Sequence, residues 1–169
     1  MSDRSAAPGD LALVESLVNT LDIESGADAL DTPEGRARFG LAEGEEVERA
    51  RELRESLRAA LLAHAGHAPH REVTPLGELL AAAPLLVGVD AHDGSARLVP
   101  AQAEEPPLLT RTAAAVAQAL IAGTWTRLKA CEAADCHWAY YDRSPAGRGR
   151  WCSMQVCGAR AKMRRYRAK

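Results

Sequence analysis

Cys131-Glu-Ala-Ala-Asp-Cys136 and Cys152-Ser-Met-Gln-Val-Cys157 hold all four cysteines of this 169-residue chain. Four residues separate the members of each pair, and fifteen lie between the pairs. Two disulfides would need an oxidising compartment. Residues 1–10 are small and polar with no apolar stretch, so no secretory signal is expected. Two closely spaced pairs in a reducing compartment read as the ligands of one zinc ion, although a two-residue spacer is commoner than four. Four thiolates close the tetrahedral shell and leave no position for water or substrate, so the site is structural and not hydrolytic. Two disulfides and four unpaired buried thiols are the alternatives that this spacing favours less.

The residues around these pairs sketch a small zinc unit. Residues 137–142 (HWAYYD) read as a strand, residues 143–149 as a turn with Pro145 and two glycines, and residues 150–152 as the returning strand. Ser153 is a good N-cap, and a helix follows from Met154 to about Ala168. Knuckle, hairpin and helix together resemble a treble clef. Such a unit has little core of its own, so the metal supplies much of its folding energy. Trp138 and Trp151 read as core residues of the hairpin more readily than as base-stacking platforms.

Charge separates this unit from the rest. The whole chain has a formal charge of −2, which taken as an average argues against a nucleic-acid partner. Residues 1–124 hold 10 basic and 20 acidic side chains, and residues 125–169 hold 11 and 3. Six of the seven aromatic residues also fall in the second segment. The reading is two domains, 1–124 acidic and 125–169 basic. In the second, Arg143, Arg148 and Arg150 sit on the hairpin, and Arg160, Lys162, Arg164, Arg165, Arg167 and Lys169 on the last helix, beside an apolar stripe of Val156, Ala159, Met163 and Tyr166. An arginine-rich surface on a metal-braced scaffold suits DNA. The alternatives are a protein-interaction module that docks on an acidic partner, and a solvated basic tail.

The first domain reads as mainly helical. Residues 11–22 put Leu11, Val14, Leu17, Val18 and Leu21 on one face, with Asp10 as cap. Thr32-Pro33 and Thr74-Pro75 are helix starts, the first helix running to about Leu41 and the second to about Ala83. Residues 45–65 form a longer amphipathic helix whose Glu and Arg residues read as a solvated face. LLVGVD and ARLVP around Asp93-Gly94 read as a β-hairpin. A last helix runs from about Leu108 to Lys129, with Gly123 as its weak point. The fold class is therefore α+β, mainly α. Asn19 and Thr20 either line a polar pocket for a small-molecule effector or form a helix C-terminal turn. His64, His67 and His70 read better as helix-end residues than as a second metal site. His137, next to Cys136, reads as a strand residue or as support for the zinc site. No run of 18 apolar residues crosses a membrane, and no P-loop, GxGxxG, nucleophile elbow or HExxH is present, so an enzyme is not expected.

Cys157-Gly158-Ala159-Arg160, together with Tyr141-Asp142-Arg143-Ser144 and Arg150-Trp151-Cys152, resembles the CGNR zinc-finger family. Val18-Asn19-Thr20-Leu21-Asp22 resembles the start of the ABATE domain, the usual N-terminal partner of that finger. The resemblance implies a bacterial, stress-related transcription regulator whose finger binds DNA. The leading expectation for this chain is a cytoplasmic regulator whose N-terminal domain senses a ligand, forms a homodimer, or both. Ala159 stands where the family motif has Asn.

Overall fold

The computed structural model describes residues 6–101 and 105–168. Six helices and two separate antiparallel hairpins follow one another: α1 (Leu11–Val18), α2 (Pro33–Ala37), α3 (Glu45–His64), α4 (Leu76–Leu80), β1 (Leu85–Val89), β2 (Ala96–Pro100), α5 (Leu108–Ile121), β3 (Leu128–Ala130), β4 (Ala139–Tyr141) and α6 (Ala159–Arg167). The fold is α+β and mainly helical, as the apolar periodicity implies. None of the helices is long and apolar enough to cross a membrane among the described residues.

The α1 side chains Leu11, Val14, Leu17 and Val18 are buried against Val47, Leu53, Leu57 and Leu61 of α3 in one apolar core. Burial of each such aliphatic side chain stabilises the fold by about 1.5–3 kcal/mol. Thr32 caps α2 through its Oγ1, which accepts from the Gly35 N–H at 3.1 Å. Asp10 precedes α1 but makes no side-chain cap bond, contrary to the expected cap. The helices α2 and α4 stop at Ala37 and Leu80, shorter than expected.

Two expectations need larger correction. The helix beginning at Leu108 does not reach Lys129. It ends at Ile121, where Gly123 adopts φ +67°, its N–H bonds the Leu120 carbonyl and the Thr124 N–H bonds the Ala119 carbonyl. That is a Schellman turn, and a glycine supplies its left-handed residue without steric cost. The freed chain forms β3, whose partner is β4, with Lys129 opposite Tyr140. Residues 150–152 therefore do not return as the second strand; the hairpin's other strand precedes the first cysteine.

The second correction concerns α3, where Glu45, Glu46, Glu48, Arg49 and Glu52 form the expected solvated face but three other charged residues do not. Arg54, Glu55 and Arg58 are all buried. Arg54 bonds Asp28 at 2.7 Å and Thr20 Oγ1 at 3.1 Å, and its Nε meets Glu55 at 2.8 Å. Arg58 donates to the Val18 carbonyl at 2.9 Å and the His137 carbonyl at 3.1 Å. Asp28 comes from the loop after α1, and the two carbonyls from the end of α1 and the cysteine-bearing segment. Burial raises the Glu55 pKa, but the Arg58 and Arg54 guanidiniums outweigh it and hold the carboxyl below its ordinary value. Burial lowers the Arg58 pKa.

Candidate metal centre and basic surface

The cysteine-bearing segment is seated on the helical core. Leu128, Ala130 and Ala139 of β3 and β4 belong to the same apolar core as α1 and α3. Asn19, just past α1, clasps the edge of β4: its Nδ2 donates to the Ala139 carbonyl at 3.0 Å, and its Oδ1 accepts from the Ala139 N–H at 2.7 Å. Thr20 Oγ1 donates to the Leu17 carbonyl at 2.8 Å. His64 is edge-on to Trp125, and its Nδ1–H donates to the Leu128 carbonyl at 2.7 Å. His70 Nε2–H donates to Glu55 at 3.0 Å. Burial lowers the pKa of both histidines.

From this platform the two cysteine pairs converge. Cys131 follows β3 directly, Cys136 closes the next turn with its N–H on the Ala133 carbonyl, and Cys152 precedes the last helical segment. Ser153 caps that segment, its Oγ accepting from the Val156 N–H at 3.3 Å. The first turn, Met154–Gly158, is a wide π-turn, closed by the Gly158 N–H on the Ser153 carbonyl. It places Cys157 on the inner side. A Cβ on Gly158 would lie 3.2 Å from Met154 Sδ and 3.3 Å from Trp151 Cδ1, so only glycine fits this contact without displacement.

The four sulfurs lie within 4.8 Å of one another, with Cys136–Cys152 at 3.5 Å and Cys152–Cys157 at 3.7 Å. Tetrahedral zinc with Zn–S bonds of about 2.3 Å places its sulfurs about 3.8 Å apart. The donor set and its spacing thus fit one zinc ion. Without a cation the cluster resists ionisation. The Cys131 thiol is pushed up to about 12; the Cys136 thiol lowers it, but that of Cys152 and burial outweigh this. The contact with Cys131 raises Cys136, and burial raises Cys157. Zinc supplies the charge that stabilises the thiolates. His137 adopts φ +49° and holds the first knuckle, its Nδ1–H donating to the Cys131 carbonyl at 3.0 Å.

A second buried centre, missed by the sequence reading, fixes the loop after β4. The Asp142 carboxylate accepts from Lys129 Nζ at 3.0 Å, Ser144 N–H at 3.0 Å, Ser144 Oγ at 2.6 Å and Gly149 N–H at 2.7 Å. Burial raises its pKa, but these four donors hold the carboxyl well below the usual carboxylate range. A Cβ at Gly149 would lie 2.9 Å from that carboxylate, so glycine is required there. The Asp142-Arg-Ser144 sequence carries the signal of such an Asx turn.

The basic side chains divide into two sets. Arg150 pairs with Glu132 and stacks on Trp151. Arg160 bonds Glu24 at 3.0 Å, and Arg164 lies 3.7 Å from Asp135. Arg143 donates to the Ala6 carbonyl and lies over Tyr141. Arg148, Lys162, Arg165 and Arg167 carry no ion pair among the described residues, and all four are exposed. Lys169 lies outside the described residues. Lys162 and Arg165 border a shallow groove with Met163 and Tyr166. The expected apolar stripe faces solvent: Tyr166 is 78% exposed, Met163 52% and Val156 49%. Trp151 packs on the cysteines, whereas Trp138 is exposed at the edge of the unit. Ala159 is exposed, so residue 159 points away from the sulfurs.

Residues 127–169 match the CGNR zinc finger family, and residues 11–124 match the ABATE family, described as "Putative stress-induced transcription regulator". The chain belongs to the ABATE family. No curated protein matches it. The ABATE match spans α1 through α5, and the CGNR match begins at Arg127, just before β3. Both descriptions are of regulator or zinc-finger type and neither is of an enzyme.

Proposed function

We propose that this ABATE protein is a cytoplasmic transcription regulator, not an enzyme, and that its C-terminal zinc module binds duplex DNA. The observation that carries the reading is α6: an open helix fixed at its start by Cys157, with Lys162, Arg165 and Arg167 free of ion pairs among the described residues and Met163 and Tyr166 open beside them. Cations without protein partners are available to phosphates, and apolar side chains suit base edges such as the thymine methyl. Arg148 joins this set from the loop that Asp142 fixes. Arg143, Arg150, Arg160 and Arg164, already engaged with protein acceptors, contact DNA only by exchanging partners; Lys169 adds a further basic residue to the sequence after α6.

The N-terminal domain senses a small-molecule effector or mediates association. Asn19 and Thr20 are its route to the finger. Any ligand bound through their side chains must compete with the bonds to Ala139, Leu17 and Arg54, so its binding is coupled to the position of β4.

A second reading is docking on an acidic protein. It is favoured by Arg160 and Arg164, which already bind carboxylates of this chain. Selection from a random duplex library, with zinc measured on the same preparation, separates the two. Enrichment of a sequence by protein carrying one zinc per chain supports the DNA reading. Failure to retain any duplex at low salt, with specific recovery of an acidic protein, supports docking.

A further inference from the structure

Among the described residues, the hairpin β1–β2 lies outside the buried apolar core. Leu86, Val87 and Val89 are 55%, 68% and 64% exposed, and no residue of either strand belongs to the buried core. The two outer edges of this two-stranded sheet are not equivalent. Gln118 of α5 donates to the Leu98 carbonyl at 3.1 Å, so that carbonyl turns away from β1 and toward α5. Val87 is the residue opposite Leu98. In an antiparallel ladder both members of such a pair turn their N–H and C=O groups outward. By two-residue alternation Leu85 and Val89 do the same. Among the described residues no hydrogen bond reaches these outward groups of Leu85, Val87 or Val89. The edge is five residues long, four of them aliphatic and one glycine, and is free of proline and charge, and so lacks the features with which soluble proteins protect an open strand edge.

We infer that β1 is a homodimer interface, in which a second copy of this chain adds its own β1 antiparallel across a two-fold axis at Val87. A strand paired antiparallel with its own copy is self-complementary, which is the requirement of a two-fold interface. With the axis at Val87, Val87 faces the partner's Val87 and Leu85 faces the partner's Val89. Leu86 faces the partner's Gly88; every opposed residue is uncharged, and like charges directly opposed would destabilise such pairing. The outward groups of Leu85, Val87 and Val89 then form about six new backbone hydrogen bonds. The two hairpins become one four-stranded sheet of order β2, β1, β1, β2, which removes the exposed edge of a hairpin that is marginal by itself. The dimer forms through the N-terminal domain alone and leaves both α6 helices free, so it stands independently of the DNA reading.

The test is the oligomeric state of the zinc-loaded full chain, without DNA, by sedimentation equilibrium over a hundredfold concentration range. The expected result is a dimer for the wild type and a monomer for Val87→Lys, in which two lysines would face each other at the axis. Mixing Val87→Lys with Val87→Glu should restore a heterodimer, since opposite charges then meet. Val87→Pro removes one outward N–H without touching the ladder to β2 and should also be monomeric, with far-UV circular dichroism unchanged. A wild type that stays monomeric, or a Val87→Lys chain that still dimerises, overturns the proposal.

Discussion

Replacing Asn19 by alanine removes both ends of the clasp between α1 and β4. The Ala139 N–H and C=O that it satisfies belong to a residue only 3% exposed, so neither finds bulk water easily. An orphaned buried backbone group costs about 1–3 kcal/mol, and two partly reachable groups together about 2–4 kcal/mol. Against a domain stability of about 5–15 kcal/mol this is a large fraction. With a urea slope of about 2 kcal/mol per molar, the midpoint should fall by about 1–2 M. The assay is urea unfolding of the zinc-loaded full chain at fixed concentration, followed by tryptophan fluorescence and far-UV circular dichroism together. All three tryptophans, Trp125, Trp138 and Trp151, lie in the C-terminal segment, whereas most of the helix lies before it. If the shared core and the Asn19 clasp make one folding unit, the two signals coincide in the wild type and shift together in Asn19→Ala. A midpoint shift below about 0.2 M, or a wild type whose two signals separate, refutes this reasoning.

Asp142→Ala should cost about 3–5 kcal/mol, because it leaves the buried Lys129 ammonium with backbone carbonyls but no counter-charge. The Asp142 carboxyl is held below its ordinary value in the folded chain, so its contribution is complete above the unfolded value of about 4 and is lost as pH falls through the folded value. The melting-temperature gap between wild type and Asp142→Asn should therefore be widest near neutral pH and close on acidification; a gap independent of pH contradicts this. For the metal, native mass spectrometry should find one zinc per wild-type chain, and Cys152→Ser should lose zinc to a chelator that the wild type resists. Equal retention, or the mass deficit of about 4 Da that two disulfides leave, would contradict the four-thiolate site.

The zinc ligands were legible because a metal site depends on residue type and local spacing, and both cysteine pairs are local. The same holds for the Thr32 cap and for the hairpin turn at Asp93-Gly94. Less legible was whatever depends on contacts distant in sequence. Arg54, Glu55 and Arg58 carry the residue types of a surface, and only the approach of Asp28, Val18 and His137 shows why they are buried. The strand β3 was masked by the apolar run of α5, although Gly123 marked the true helix end. The nine basic residues lie close together in sequence, but which of the described ones have partners depends on Glu24, Glu132 and Asp135, and only the folded chain brings these acids within reach.

The most direct test of the account is the salt dependence of duplex DNA binding by the zinc-loaded full chain. If Arg148, Lys162, Arg165 and Arg167 each release one phosphate counterion, the logarithm of the binding constant falls with a slope of about −3.6 against log salt. That is roughly a 150-fold loss between about 50 and 200 mM. Lys162→Ala and Arg165→Ala should each reduce the slope by about one. No binding at low salt, or binding indifferent to salt across that range, contradicts the claim that this zinc-braced basic surface is made for DNA.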